Sequence, residues 1–307
     1  MDVDWNAVQG AIPVAFGDDM AYMSYVFQTY DSLAVQIVPV VFITNRTFER
    51  IDSTEIPLLA KRVIRRCLPA FDEMDVKLED RYARYNNYKP ISVKEVQIDC
   101  DWTVRTSSAY FRFLSEVKKL LASQDVTLTA TIRLHQFKYP KKTGVPPADR
   151  GMLMIYNLSD PKQYSAANSI YDQEKAAAYF TSSKNYPLPL DMALPAWSWC
   201  LIFRNKKFYQ IENGLTEKEL KELSFVRKGK GPFYEVTKDT VYREIFFRPG
   251  DEIKLEKISP EDLRHAASLA RKANNTDHFT VSLFELSEQE FNQFSHATID
   301  EVYDSFR

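Results

Sequence analysis

Glycine is scarce: 307 residues carry eight. Loops that cradle phosphates are built from clustered glycines, and no G-x-G-x-x-G or G-x-x-x-x-G-K spacing occurs, so a nucleotide held in that way is excluded. Cysteine is scarcer still. Cys67, Cys100 and Cys200 match no zinc or redox spacing, and an odd number cannot form a complete disulfide framework. They read as buried apolar thiols. H-E-x-x-H and G-x-S-x-G are absent, which removes two common hydrolase signatures. No cofactor and no metal is therefore expected. Neither sign of charge dominates: 40 Lys and Arg face 42 Asp and Glu, a formal net charge of −2. That gives no electrostatic footprint for nucleic acid or an anionic membrane. No apolar run reaches membrane-spanning length, no signal-peptide pattern opens the chain, and no internal repeat or low-complexity segment stands out.

Aromatic residues, by contrast, are plentiful: 17 Tyr and 20 Phe raise the aromatic share to 13%. Such rings fill cores and also offer faces on which ligands stack. Several segments share one form, an apolar run that ends in polar or aromatic residues. QIVPVVFITNR (36–46) ends in Asn45 and Arg46, VKEVQIDCDW (93–102) in Asp99, Asp101 and Trp102, and VTLTATIRLHQ (126–136) in Arg133, His135 and Gln136. GMLMIYN (151–157) ends in Tyr156 and Asn157, DMALPAWSW (191–199) in Trp197 and Trp199, and HFTVSLFEL (278–286) in Phe284 and Glu285. Runs of this kind suit strands covered on both faces, as in a parallel sheet.

Helical patterns lie between them. SSAYFRFLSEVKKLLAS (107–123) sets Phe113, Leu114, Val117, Leu120 and Leu121 on one stripe, with Ser107 as the expected cap. SPEDLRHAASLARKAN (259–274) opens with Ser259 as cap, Pro260 next and Asp262 third. Ser287 and Glu290, and again Thr298 and Glu301, have capping-box spacing, and the pattern over 56–74 must break near Pro69. This alternation predicts an α/β fold, a (β/α)8 barrel in preference to an open sheet. Residues 200–252 break the rhythm with a hairpin around Asn205, a short capped helix and strand-like alternation. The expected organisation is a barrel over 1–199 and 253–307 with a small α+β insertion over 200–252.

The residues at the strand ends, taken in order, resemble the glycoside hydrolase family 18 (chitinase-like) barrels, and a bacterial group of barrels similar to them. The fourth strand of that family carries D-x-x-D-x-D-x-E. VQIDCDWT places Asp99 and Asp101 at its last two aspartates and Trp102 at a common aromatic position. MIYN supplies Met154, Tyr156 and Asn157 where the family's sixth strand ends in M-x-Y-D or M-x-Y-N, and MALPAW supplies Leu194 and Pro195 where its seventh often reads L-x-L-P. Many members also insert an α+β subdomain after that strand.

The resemblance implies an oligosaccharide or polysaccharide as partner and Tyr156 as a residue near its acetamido group. Two departures qualify it. Thr103 stands where the family has its catalytic glutamate, and Val96 where it has its first aspartate. Counting strands back from Asp99 also leaves the first strand before Met1. The expectation is thus a barrel lacking that strand in the chain as given, and the cell envelope or exterior as its place if the natural N-terminus lies upstream. Glycosidic cleavage by two carboxyl groups makes Asp101 the favoured acid and Asp99 its neighbour, with Asp191, Glu285, Asp2 and Asp4 as further carboxylates. Trp102, Arg133, His135, Gln136, Tyr156, Asn157, Asp191, Trp197 and Trp199 are the expected substrate-binding set. Residues 136–151 form an expected lid or groove wall. Three readings stay open at this point: a hydrolase with a non-standard acid, a glycan-binding barrel that has lost its acid, and an enzyme of another class on the same scaffold.

Overall fold

The computed structural model describes residues 1–15, 36–68, 93–181, 186–285 and 293–307. The chain divides into two compact units, residues 1–152 with 186–190 and residues 153–185 with 191–307.

In the first unit β1 (Asp2–Asn6) forms an antiparallel hairpin with β2 (Gly10–Ala15) and pairs in parallel with β3 (Val40–Ile43) on its other edge. β3 is followed by α1 (Asn45–Arg50) and α2 (Ile56–Cys67). Next come β4 (Glu95–Asp99), α3 (Ser107–Leu121), β5 (Thr127–Arg133), the short helices α4 (Leu134–Lys138) and α5 (Pro140–Thr143), and β6 (Arg150–Met154). β3–β4 and β4–β5 pair in parallel. Helix α2 ends at Cys67, and Leu68 is extended (φ −121°, ψ 91°), the conformation a following proline imposes. The stripe expected on α3 is buried at Phe113, Leu114, Val117 and Leu121, joined by Tyr110. Phe48 of α1 sets its ring 5.2 Å from Tyr110 and 5.6 Å from Phe113.

The cap of α3 differs from expectation. Ser107 turns its hydroxyl to the Val104 carbonyl. The turn begins earlier, where the amides of Thr106 and Ser107 both donate to the Thr103 carbonyl, at 3.1 and 2.9 Å.

The second unit takes over the end of β6 and adds α6 (Gln173–Phe180), β7 (Leu190–Pro195), β8 (Ser198–Arg204), β9 (Lys207–Asn213), α7 (Glu217–Glu222), β10 (Val226–Lys228) and β11 (Phe233–Val236). β12 (Thr240–Tyr242), β13 (Ile245–Phe247), β14 (Glu252–Lys257), α8 (Pro260–Ala273), β15 (Val281–Phe284) and α9 (His296–Asp304) complete it. Strands β10-β11-β14-β8-β9 form a five-stranded antiparallel sheet over the stretch that broke the earlier rhythm. The hairpin at Asn205 is present, with positive φ at Asn205 (51°) and Lys206 (60°), the two-residue turn that matches strand twist. Ser259 caps α8 as its sequence predicts, with Asp262 completing the box. The last helix starts earlier than Thr298: Ser295 is its cap and accepts from the Thr298 amide. The box at Ser287 and Glu290 lies outside the described residues.

The main sheet has the order β15-β7-β6-β5-β4-β3-β1-β2. Parallel strands alternating with helices make this an α/β fold of the (β/α)8-barrel class, and the edge of β1 away from β3 is taken by the antiparallel β2. No helix among the described residues is long and apolar enough to cross a membrane. Cys67, Cys100 and Cys200 are buried free thiols, as expected.

Candidate functional site

Strand β4 separates its residues cleanly. Val96 and Ile98, and Cys100 just beyond, are fully buried, which leaves Glu95, Gln97 and Asp99 to the other face. In β5 the same alternation buries Leu128, Ala130 and Ile132 and puts Thr129, Thr131 and Arg133 on the opposite face. The register sets Gln97 beside Thr129, so the two polar rows run side by side. Each acid of β4 and its end then meets a partner from β5. Thr129 Oγ1 donates to Glu95 Oε1 (2.7 Å) and Thr131 Oγ1 donates to Asp99 Oδ1 (2.6 Å). Arg133 grips Asp101 through both Nε and Nη2, the latter at 3.0 Å from Oδ2. Two acids two residues apart are tolerated here because their partners differ.

Those partners give the acids different chemistry. Burial pushes the Asp99 carboxyl above the usual carboxylate range, aided by Asp101 and Asp2 and opposed by the Thr131 hydrogen bond and the Arg133 cation. Asp101 is about half exposed, and a guanidinium fork reaches both of its oxygens. His135, at the start of α4, is exposed. Burial of its surroundings pushes its pKa below the ordinary 6.5, with Arg133 adding to that effect and Asp101 opposing it.

Two expected ligand contacts are corrected. Trp102 and Gln136 are fully buried and present no surface to a substrate. Gln136 accepts from the Arg133 amide at 2.7 Å and donates to the Trp102 carbonyl at 3.1 Å. Trp102 stacks on Tyr110 (5.2 Å, 29°) and donates from its indole to the Thr143 carbonyl at 3.0 Å. Both residues fasten the strand ends to α4 and α5, which form the first part of the expected lid. Thr103 has a local task as well. Its amide donates to Thr106 Oγ1 at 2.9 Å, and Thr106 Oγ1 donates to Asn45 Oδ1 at 2.5 Å, so the turn into α3 is closed by threonines.

The arrangement at Asp101 has a counterpart that sequence reading missed. DVDW (2–5) lies within β1 and DCDW (99–102) starts on the last residue of β4, and T-x-R follows at the next strand end in both cases, at 44–46 and 131–133. Asp4 accepts from Thr44 Oγ1 (2.5 Å) and is gripped by Arg46, whose Nε lies 3.1 Å from Oδ1. The Thr44 hydrogen bond, then Arg46 and the Trp5 amide, lower the Asp4 pKa against a modest cost of burial. The register explains the difference from Asp99: Asp2 pairs with Phe42, which brings Thr44 level with Asp4, whereas Thr131 is level with Asp99. The four-letter motif was the available signal.

In the second unit four rings gather at strand ends. Tyr156 and Trp197 are buried and meet edge to face at 5.0 Å. Phe284, at the end of β15, stacks on Tyr156 (5.4 Å, 21°) and meets Trp197 edge on at 5.3 Å, yet is 44% exposed. Trp199 lies edge to face with Trp197 at 5.9 Å and donates to Glu256 Oε2 at 3.0 Å. It belongs to β8 and not to the end of β7. Asn157 follows Tyr156 in the left-handed region (φ 57°), with its side chain exposed. Glu285 is exposed beside Phe284. Asp191 is a correction: it lies at the start of β7, is buried, and accepts from the Thr280 amide at 2.6 Å. That is the end of the strand opposite Pro195, so Asp191 serves strand pairing.

No protein-family profile and no curated protein matches the chain. Solved structures do. A chitinase from Chromobacterium violaceum superposes with a TM-score of 0.52 at 9% identity, over 98% of this chain and 89% of that one. A glycoside hydrolase family 18 chitinase from Cycas revoluta, solved in complex with (GlcNAc)3, gives 0.51 at 11% identity, over 99% and 91%. The Group IV chitinase of Ostrinia furnacalis gives 0.51 at 10% identity, over 100% and 90%. Identities this low speak for architecture alone: the chain has an α/β fold of the (β/α)8-barrel class, similar to that of these chitinases.

Proposed function

We propose that this protein is a carbohydrate-active barrel that binds an oligosaccharide through residues at its strand ends. The observation that carries this reading is the Phe284 ring, 44% exposed yet stacked on Tyr156 and braced by Trp197. A pyranose presents a flat face of C–H bonds, and an aromatic ring already fixed in place takes it with little loss of side-chain freedom. A second reading, hydrolysis, is favoured by Asp99. Its raised pKa suits a proton donor.

Because the Cycas chitinase was solved with (GlcNAc)3, that trimer is the natural first probe, within a panel of neutral oligosaccharides. Titration calorimetry and product analysis on the same samples separate binding from release. Phe284→Ala is expected to weaken binding about tenfold, the size of one aromatic contact, and to lower the unfolding midpoint modestly, because the ring also packs on Tyr156 and Trp197. Asp99→Asn is expected to keep binding and abolish any release. A panel from which no oligosaccharide binds the wild-type protein overturns the proposal.

A further inference from the structure

The five-stranded sheet of the second unit has an outer feature that the strand-end site does not use. Tyr209 lies on β9, an edge strand, and is 45% exposed. The Arg204 guanidinium sits 4.4 Å from its ring centroid. Arg204 is itself immobilised. Its Nε and Nη2 bind Asp251 at 2.9 and 2.8 Å, and Nη2 also donates to the Phe246 carbonyl at 3.0 Å. Asp251 is buried and takes the Arg248 amide as well, at 3.0 Å. Phe246 is 44% exposed and pairs directly across β12–β13 with Val241, 70% exposed. The Arg248 guanidinium lies 5.6 Å from the Phe246 ring. One locked arginine thus lies against the Tyr209 ring and hydrogen-bonds the main chain that carries Phe246.

We propose that this surface, centred on Tyr209, Arg204 and Phe246, is a second carbohydrate-binding site that takes a neutral polysaccharide chain, an inference resting on the reading that the protein binds glycans. Three physical points favour that ligand. The rings and their arginine are held before anything binds, so binding costs little ordering. The buried Asp251 cancels the charge of Arg204, so the arginine on the Tyr209 ring does not call for an anion. The exposed apolar area is too small for a stable protein partner: two half-open aromatic rings and one valine offer roughly 250 Å², against about 800 Å² per partner in a standard interface. One sugar ring, in contrast, needs only one open aromatic face.

The test uses the full chain. Retention by colloidal chitin, and by glucan, mannan and xylan in affinity gels, is measured for wild type, Phe284→Ala and the double variant Tyr209→Ala/Phe246→Ala, with unfolding midpoints checked for each. The double variant is expected to lose polymer retention at least tenfold while binding of the (GlcNAc)3 trimer or another panel oligosaccharide stays at the wild-type level. Retention of the double variant equal to wild type overturns the second site. So does a concentration-dependent dimer in sedimentation that the double variant abolishes, which would make a second copy of this chain the occupant. If an oligosaccharide binds but no polymer retains the wild type, the surface proposal alone fails. If neither binds, the underlying glycan reading fails with it.

Discussion

Asp99 and Asp4 carry the same functional group on strands of one unit, and their surroundings drive them in opposite directions. The Asp99 pKa is raised, chiefly by burial, above its unfolded value of about 3.8. The folded state therefore binds this proton more tightly. The stability it adds is complete below that value and is lost as pH rises through the folded pKa. Asp99→Asn keeps an oxygen for Thr131 and never ionises. It is expected to be at least as stable as wild type at pH 7, with its advantage growing from pH 4 upward, as urea midpoints at several pH values will show. The Asp4 pKa is lowered, first by Thr44. Its contribution is present above about 3.8 and is lost as pH falls through the folded value. Asp4→Asn should therefore be less stable than wild type at pH 7, and the gap should close in acid. A common direction for both variants would remove this account of the two sites.

At the scale of the element, the strand ends were legible and their fastenings were not. An apolar run that stops in polar residues announces a covered strand, and the runs at 93–102 and 126–136 fold as read. The sequence of Trp102 is the same whether an aromatic residue points into a cleft or into a helix, so only packing on Tyr110 decides it. Caps shifted for a related reason: with Thr103, Thr106 and Ser107 in one short stretch, several hydroxyls compete for the same amides. D-x-D-W occurs twice, but four letters carry little weight until the register aligns them with T-x-R. Gly144 shows how tight the α5 end is. Its φ is +81°, and an added Cβ would lie 2.5 Å from Phe111 Cε2, the ring that also borders Trp102 at 5.8 Å. Gly144→Ala is expected to cost about 2–4 kcal/mol through strain and overpacking. Chemical denaturation measures the loss, and near-ultraviolet circular dichroism should register the disturbed Trp102.

At the scale of the whole molecule, the alternation of strands and helices was enough to name the fold, because hydrophobic period and length survive without knowledge of partners. Contacts distant in sequence were not readable. EIKLEK (252–257) places Lys254 and Glu256 on one side of β14, and charged side chains ordinarily face water. Instead both side chains are fully buried. Lys254 donates to the Ala166 carbonyl and to Glu256, each at 2.5 Å, while Glu256 takes the Ser169 amide at 2.9 Å and the Trp199 indole at 3.0 Å. The stretch that covers them comes 87 residues earlier. Glu256→Ala strands a buried cation and is expected to cost about 3–5 kcal/mol in equilibrium unfolding, more than a double replacement of Lys254 and Glu256 by apolar residues of similar volume. The opposite side of the same strand holds Ile253 and Leu255 in a cluster with Cys200, Ile202, Tyr234 and Phe247. A slip of β14 by one residue would exchange the two sides, forcing an ammonium and a carboxylate into that cluster and turning two aliphatic side chains toward Ser169 and the Ala166 carbonyl. The strand thus proofreads its own alignment, since a one-residue slip is rejected from both faces at once.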